Sequence, residues 1–88
     1  MISNEEKQII IENAKKFNLT SVILFGSSLD DESANDIDIG VKGLEPRLFF
    51  KFFASIYKAL PKPVDVVDLS FNNKFTRLIE ESGVKIYG

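Results

Sequence analysis

Apolar and polar residues alternate with two different periods along this chain, and the changes of period predict its helices and strands. Ser3 and Glu6 have the spacing of a capping box, and apolar residues at helical spacing follow as far as Phe17, which predicts a first helix over about residues 4–17. The segment TSVILF is β-branched and apolar, as in a strand covered on both faces, and Gly26 ends it.

Two later segments alternate with a period of two. DIDIGV predicts a second strand with its aliphatic side chains on one face and Asp36 and Asp38 on the other. PVDVVDLS, residues 63–70, predicts a third strand on which Asp65 and Asp68 face opposite sides. The carboxylates of Asp36 and Asp38 are therefore expected to project together from one face of a sheet.

Two more helices are predicted between and after these strands. The second helix holds Pro46 in its first turn, where the missing N–H is tolerated, and it ends before Pro61. The third covers NNKFTRLIEESG with Phe75, Leu78 and Ile79 directed inward, and VKIY forms a last strand. The order helix, strand, strand, helix, strand, helix, strand predicts a fold of the α/β type, more strictly α+β.

The second helix carries a wide apolar arc. At helical spacing, its central stripe consists of Phe49, Phe53, Ile56 and Leu60, flanked by Phe50, Phe52 and Tyr57. The arc is expected to cover the sheet, and its aromatic edge is also a candidate surface for docking a partner protein.

Composition restricts the chemistry that this chain can perform. Residues 1–88 are enough for one domain with one core, and the proportions of 44% hydrophobic and 27% charged residues are typical of a globular protein. The net charge of −2, without a block of Lys or Arg, argues against long RNA or DNA as the ligand. The absence of Cys and His excludes disulfides, thiol or imidazole catalysis and Cys/His zinc sites, which leaves carboxylates, hydroxyls, Lys, Arg and a hard metal ion.

The sequence has no segment with the pattern of an export signal or a membrane span. The N-terminal residues MISNEEKQ are polar, and the most apolar segment, LFFKFFASIYKAL, contains two lysines and is shorter than the roughly 18 apolar residues that a span needs. A cytoplasmic protein without membrane contact is expected.

Asp36 and Asp38 are candidate ligands of a divalent cation. Two carboxylates about 4 Å apart repel by about 4 kcal/mol at an effective dielectric constant of about 20. A hard cation such as Mg²⁺, which takes carboxylate and phosphate oxygens, offsets that repulsion. Asp65 is a better candidate for a third ligand than Asp68, because it lies on the face of its strand that is expected to match. A lone Asp-x-Asp on a strand is otherwise typical of a solvated face.

Gly26, Ser27 and Ser28 directly follow the first strand. At such a turn, backbone N–H groups and small hydroxyls approach a phosphate without an intervening side chain, although turns also use these residues for their conformation alone. The turn gains significance from its combination with the acids. A hydrophobic strand, Gly-Ser, a polar loop, Asp-Ile-Asp on a second strand and Val-Asp-Val on a third follow one another in one short chain.

This combination resembles the nucleotidyltransferase superfamily. It is most similar to the minimal nucleotidyltransferase (MNT) proteins, small stand-alone domains that are usually encoded with a HEPN-domain partner. The resemblance covers nearly the whole chain, including the closing segment ESGVKIYG. It implies a DNA polymerase β-like palm, which is a mixed four-stranded sheet with helices packed on it, in the order αββαβαβ.

The resemblance also implies roles for individual residues. The turn Gly26–Ser28 would hold the triphosphate of ATP, the usual donor, and Asp36 and Asp38 would bind both of two Mg²⁺ ions. Asp65 would bind the catalytic ion and help to activate the acceptor hydroxyl.

The chain departs from the family pattern in the loop after Gly-Ser. Many relatives carry Arg-Gly shortly after Gly-Ser and a Ser before the first Asp, whereas this chain has SLDDES and then Asn35, in a shorter loop. The loop therefore holds acids where a cation would meet a phosphate. Lys42 and Arg47, which follow close in sequence, are candidates for the missing positive charge.

The sequence supports three functional hypotheses. The first is Mg²⁺-dependent transfer of AMP from ATP to a hydroxyl, a tyrosine or similar group on a HEPN-type ribonuclease toxin, which makes this chain the antitoxin of a toxin–antitoxin pair. The second is a catalytically weak or inactive module of the same fold that neutralises its partner by docking. The third is nucleotidyl transfer to a small molecule, for which aminoglycoside-modifying relatives carry an additional helical domain. Each is compatible with a homo- or hetero-oligomer.

Overall fold

The helices and strands follow one another in the order that the sequence predicts. A computed structural model describes residues 2–26 and 36–88. None of the helices formed by these residues has the length and apolarity of a membrane span. The elements are α1 (Asn4–Lys16), β1 (Ser21–Phe25), β2 (Ile37–Lys42), α2 (Phe49–Ala59), β3 (Val64–Asp68), α3 (Lys74–Ser82) and β4 (Val84–Tyr87), with a 3₁₀ turn over Pro46–Leu48 leading into α2.

Capping boxes begin two of the helices. At α1 the predicted box is present, because the Ser3 N–H donates to Glu6 Oε1 at 2.9 Å and the Glu6 N–H donates to Ser3 Oγ at 3.1 Å. At α3, Asn73 and Thr76 exchange the same pair of hydrogen bonds. Each box satisfies two N–H groups that the first turn of a helix leaves without partners, so both helix starts are set by local sequence.

The strands form one mixed sheet in the order β3-β2-β1-β4. The central strand β1 is antiparallel to β2 and to β4, and β2 is parallel to β3, with α2 crossing between them. The mixed four-stranded sheet that the family resemblance implies is therefore present.

One face of the sheet carries α1 and α2 and the larger part of the core. The predicted stripe of α2 is wrong in its first half, because Phe52 is fully buried while Phe49 and Phe53 are only partly buried. A helical wheel locates a wide apolar arc but not the part of it that contacts the sheet. The buried hydrophobic residues of this cluster are Ile10, Ala14, Leu19, Val22, Leu24, Ile37, Ile39, Val41, Leu44, Phe52, Ile56, Leu60 and Val64.

The other face carries α3 and a smaller core. Its buried hydrophobic residues are Ile23, Leu69 and Ile79. Of the three residues predicted to face inward, only Ile79 is buried, whereas Phe75 and Leu78 are 54% and 58% exposed. The helix covers only a narrow strip of the sheet, so Phe75 contacts Phe25 of β1 while much of its ring stays exposed.

Candidate functional site

The face that carries α3 presents Asp38 and Asp65 side by side. Asp38 on β2 is in register with Asp65 on the parallel strand β3, and Asp36 directly precedes β2. Neighbouring strands lie about 4.8 Å apart, so the two register partners project as neighbours from one face. Asp36 precedes Asp38 by two residues, the spacing that returns to the same face of a strand.

Asp68 is not part of this group. It stands three residues beyond Asp65 on β3, and its Oδ1 accepts a hydrogen bond from the N–H of Ser70 at 2.9 Å. Of the two acids on the third strand, the structure therefore places Asp65 beside Asp38, as the sequence predicts.

Both neighbouring acids affect the pKa of the Asp38 carboxyl. Partial burial raises the pKa of Asp38 above its ordinary value, the negative charges of Asp65 and then Asp36 raise it further, and a hydrogen bond between the Asp38 and Asp65 side chains acts in the same direction. All of these causes disfavour the charged form of Asp38. A divalent cation at the same place would instead favour the charged form of Asp38, because it stabilises ionised carboxylates.

The donor chemistry of these acids fits a hard cation, but their present geometry is not that of a metal centre. No group of three or more His, Cys, Asp or Glu side chains within residues 2–26 and 36–88 is arranged to hold a metal ion. The raised pKa of Asp38 is compatible with that finding, because Coulomb repulsion acts over longer distances than those of metal ligation. Binding an ion through all three acids would require their side chains to rearrange from the positions that they have in this structure.

Gly26 brings the end of β1 against Asp38. Its φ of +72° is in the left-handed region, and a Cβ atom at this position would lie 2.5 Å from Asp38 Oδ2. Glycine is required both for the backbone conformation and for the close approach. Ser27 and Ser28, the other predicted phosphate-binding residues, lie outside the described residues, as does the acidic loop that departs from the family pattern.

The two cations proposed from the sequence make ion pairs elsewhere. Lys42 pairs with Glu80 of α3, and it lies four residues beyond Asp38 along β2, a distance of about 13 Å. Arg47 Nε lies 2.6 Å from Glu45 Oε1 on the exposed 3₁₀ turn. The structure places neither cation beside the carboxylates.

A small hydrophobic cluster lies next to the carboxylates on the same face of the sheet. A Cβ atom at Gly40, the residue of β2 that follows Ile39, would lie 2.7 Å from Leu69 Cδ1, so the absence of a side chain lets Leu69 lie against the sheet. Ile23 and Ile79 complete the buried cluster there. The sequence did not predict this contact, because Gly40 and Leu69 are far apart along the chain and meet only through the pairing of β2 with β3.

Two surface pockets, each of about 300 Å³, lie away from the carboxylates. Both involve residues of α1, and neither includes an acid of the site. The first is lined by Ser3, Glu5, Glu6, Ile9, Pro61 and Lys62. The second is lined by Lys16, Phe17, Asn18, Leu48, Lys51 and Ser55. Within residues 2–26 and 36–88, the carboxylates instead lie beside α3, with Asp38 partly buried and Asp36 and Asp65 exposed.

Comparison with solved structures identifies the fold, whereas no protein-family model and no curated protein matches the chain. The toxin–antitoxin MntA–HepT is similar with a TM-score of 0.73 and 23% identity, over 98% of this chain and 73% of that chain. A toxin–antitoxin structure with AMP-PNP has a TM-score of 0.74 and 27% identity, over 93% of this chain and 73% of that chain. A mutant toxin–antitoxin structure has a TM-score of 0.75 and 23% identity, over 93% and 72% of the respective chains.

These likenesses confirm the resemblance that the sequence motifs indicated. MntA is the minimal nucleotidyltransferase antitoxin, and this chain has the same nucleotidyltransferase fold with its mixed sheet. In the mutant structure, two aspartates separated by one residue are replaced by glutamate. Asp36 and Asp38 have that spacing here.

Proposed function

We propose that this chain is a Mg²⁺-dependent nucleotidyltransferase that moves AMP from ATP to a hydroxyl on a HEPN-type partner and thereby acts as an antitoxin. The observation that carries this proposal is the register of Asp38 with Asp65, beside the close approach of Gly26. The similarity to toxin–antitoxin structures, one of them with AMP-PNP, supports both the nucleotide and the type of partner.

The residues of the site have distinct roles in this proposal. Asp36, Asp38 and Asp65 would hold Mg²⁺, which when bound supplies Lewis-acid stabilisation of the charge at the α-phosphate. Gly26 would leave the end of β1 open to the triphosphate, and Ser27 and Ser28 would donate to its oxygens.

Asp65 would serve the acceptor side of the reaction. It lies on the edge strand β3 and is exposed, so a hydroxyl from another molecule can reach it. Asp65 would orient that hydroxyl and help to remove its proton. The acceptor oxygen bonds to the α-phosphorus as the bond from that phosphorus to the bridging oxygen breaks, and pyrophosphate leaves.

A protein acceptor is consistent with the positions of the pockets. The two pockets described above lie away from the acids, so neither of them provides an acceptor pocket beside the carboxylates. A partner that presents its own hydroxyl requires no such pocket, which favours transfer to a protein over transfer to a small molecule.

Transfer of a labelled nucleotide tests the proposed function. The chain is incubated with Mg²⁺, α-labelled ATP and the HEPN-type protein identified from the neighbouring reading frame, and label on the partner is measured. We expect label with the wild type and none with Asp36→Asn/Asp38→Asn. Undiminished transfer in the double variant would refute the assignment of these acids.

A second candidate function is neutralisation of the partner by docking alone. The observation that favours it is the aromatic edge of α2, where Phe50 is 81% exposed and Tyr57 is 49% exposed. Calorimetry separates the two functions. A chain that binds no ATP in the presence of Mg²⁺ but still forms a stable complex with its partner is a docking module.

A further inference from the structure

An aromatic pair lies in the same row of the sheet as the carboxylates. Phe25, Asp38 and Asp65 are register partners on β1, β2 and β3, so their side chains project from the α3 face in one line. The ring of Phe75 on α3 packs edge-to-face with the ring of Phe25, with centroids 6.1 Å apart and ring planes at 84°. The row therefore runs from the phenyl rings at β1 to Asp65 on the edge strand β3.

Phe75 is held at this place while much of it stays open to solvent. It is 54% exposed, whereas Ile79, one turn further along α3, is buried over Ile23. Phe25 is half-buried and supports Phe75 from the sheet side. The result is an aromatic surface that is anchored in the fold and accessible from the site.

We propose that Phe75, supported by Phe25, is the stacking platform for the base of the bound nucleotide. The inference rests on the proposed function, and it adds the residue that recognises the nucleoside. Phe25 directly precedes Gly26, so a nucleotide whose phosphates lie at Gly26 and Asp38 has its base within reach of the rings. Because every base has a π face, such a platform supplies affinity with little discrimination between purines.

The neighbouring leucine distinguishes a base platform from a protein-docking surface. Leu78 lies three residues after Phe75 on α3 and is equally exposed, at 58%. A partner protein that covers this side of α3 would contact both side chains, because residues three apart share a helix face. A stacked base requires the ring of Phe75 only.

Calorimetry on the full chain with Mg²⁺ tests the platform with two probes, ATP and inorganic triphosphate. Triphosphate carries the charge of the nucleotide but no base. We expect Phe75→Ala to lower the affinity for ATP by about 5- to 100-fold and to leave the affinity for triphosphate unchanged. Phe75→Leu, which keeps an apolar contact with Phe25, is expected to show the same loss. Phe75→Trp should retain ATP affinity, and Leu78→Ala should change neither affinity.

Each other outcome overturns the platform in a recognisable way. If the wild type bound ATP and triphosphate with equal affinity, the base would make no contact that contributes to binding, and the proposed function would be unaffected. An unchanged ATP affinity in Phe75→Ala and Phe75→Leu, or an equal loss for both probes, would exclude stacking. Loss of partner binding in both Phe75→Ala and Leu78→Ala with ATP affinity intact would assign the surface to the partner. Binding of neither probe by the wild type would refute the proposed function and the platform together.

Discussion

A Cβ atom at Gly26 would lie 2.5 Å from Oδ2 of Asp38, so the turn after β1 and the acidic strand β2 meet at atomic contact. Gly26 follows β1 and Asp38 lies on β2, and the antiparallel pairing of these consecutive strands brings the two residues together. One short segment of the chain thus supplies both a turn with open backbone and a carboxylate. The proposed phosphate and metal contacts depend on that proximity.

Gly26→Ala is expected to impair both folding and nucleotide binding. A left-handed conformation costs a non-glycine residue about 1–2 kcal/mol, and the added methyl group displaces the Asp38 carboxylate as well. Gly43→Ala is the matched control, because Gly43 has a φ of +80° and its methyl group would meet Thr20 away from the site. Both variants should lose stability in thermal melts, and only Gly26→Ala should lose ATP binding at temperatures where both are folded. Similar ATP binding by the two variants would contradict the role of Gly26.

Asp65→Asn is expected to reduce nucleotidyl transfer by about 100-fold or more, the usual scale for removing a positioned group that accepts a proton in the transition state. Its effect on stability should be small, since Asp65 is exposed on an edge strand. Asp68→Asn on the same strand is the control, because an asparagine Oδ1 can still accept the hydrogen bond from the Ser70 N–H. A larger loss of transfer in Asp68→Asn than in Asp65→Asn would reverse the assignment of the third acid.

Asp38→Asn is expected to stabilise the metal-free protein at neutral pH. Burial and the charges of Asp65 and Asp36 raise the pKa of Asp38 in the folded state. The contribution of Asp38 to stability is therefore fully present below its unfolded-state pKa and is lost as the pH rises through its folded-state pKa. Above that pH the ionised carboxylate destabilises the fold, and asparagine removes the charge.

Circular dichroism melts over a pH series, without divalent cations, measure this difference. The melting temperature of Asp38→Asn should exceed that of the wild type at pH 7, and the gap should close as the pH approaches about 4. Added Mg²⁺ should then raise the melting temperature of the wild type more than that of the variant. A lower melting temperature for Asp38→Asn at pH 7 would show that the carboxylate is stabilised by a contact stronger than the repulsion of its neighbours.

Lys42→Gln is expected to leave transfer within about twofold of the wild type, since Lys42 pairs with Glu80 away from the carboxylates. Partly exposed ion pairs of this kind contribute about 0–1 kcal/mol, so the free energy of unfolding should change by no more than that. A steady-state transfer assay and urea unfolding give the two values. A large fall in transfer without a change in stability would indicate that Lys42 does contact a phosphate.

The parts of the site that depend on adjacent residues could be predicted from the sequence better than the parts that depend on the pairing of strands. The shared face of Asp36 and Asp38 follows from the period of a strand, which adjacent residues determine, and it could be predicted from DIDIGV alone. The position of Asp38 beside Asp65 depends on the parallel pairing of β2 with β3, which α2 connects. From the sequence it could be predicted only that Asp65 lies on a face of its strand that could match that of Asp38. The exposure of Phe75 could not be predicted, because Phe75, Leu78 and Ile79 share one face of α3 and only the packing of the helix on the sheet determines which of them is buried.

Transfer from ATP labelled separately at its α- and γ-phosphates is the most direct test of the proposed transfer of AMP to the partner. The wild-type chain is incubated with Mg²⁺, the HEPN-type partner and each labelled ATP in turn, and label retained by the denatured partner is counted. We expect the partner to retain the α-label alone, since AMP stays on the acceptor and pyrophosphate leaves. Retention of the γ-label, or of neither label, would contradict the proposed transfer.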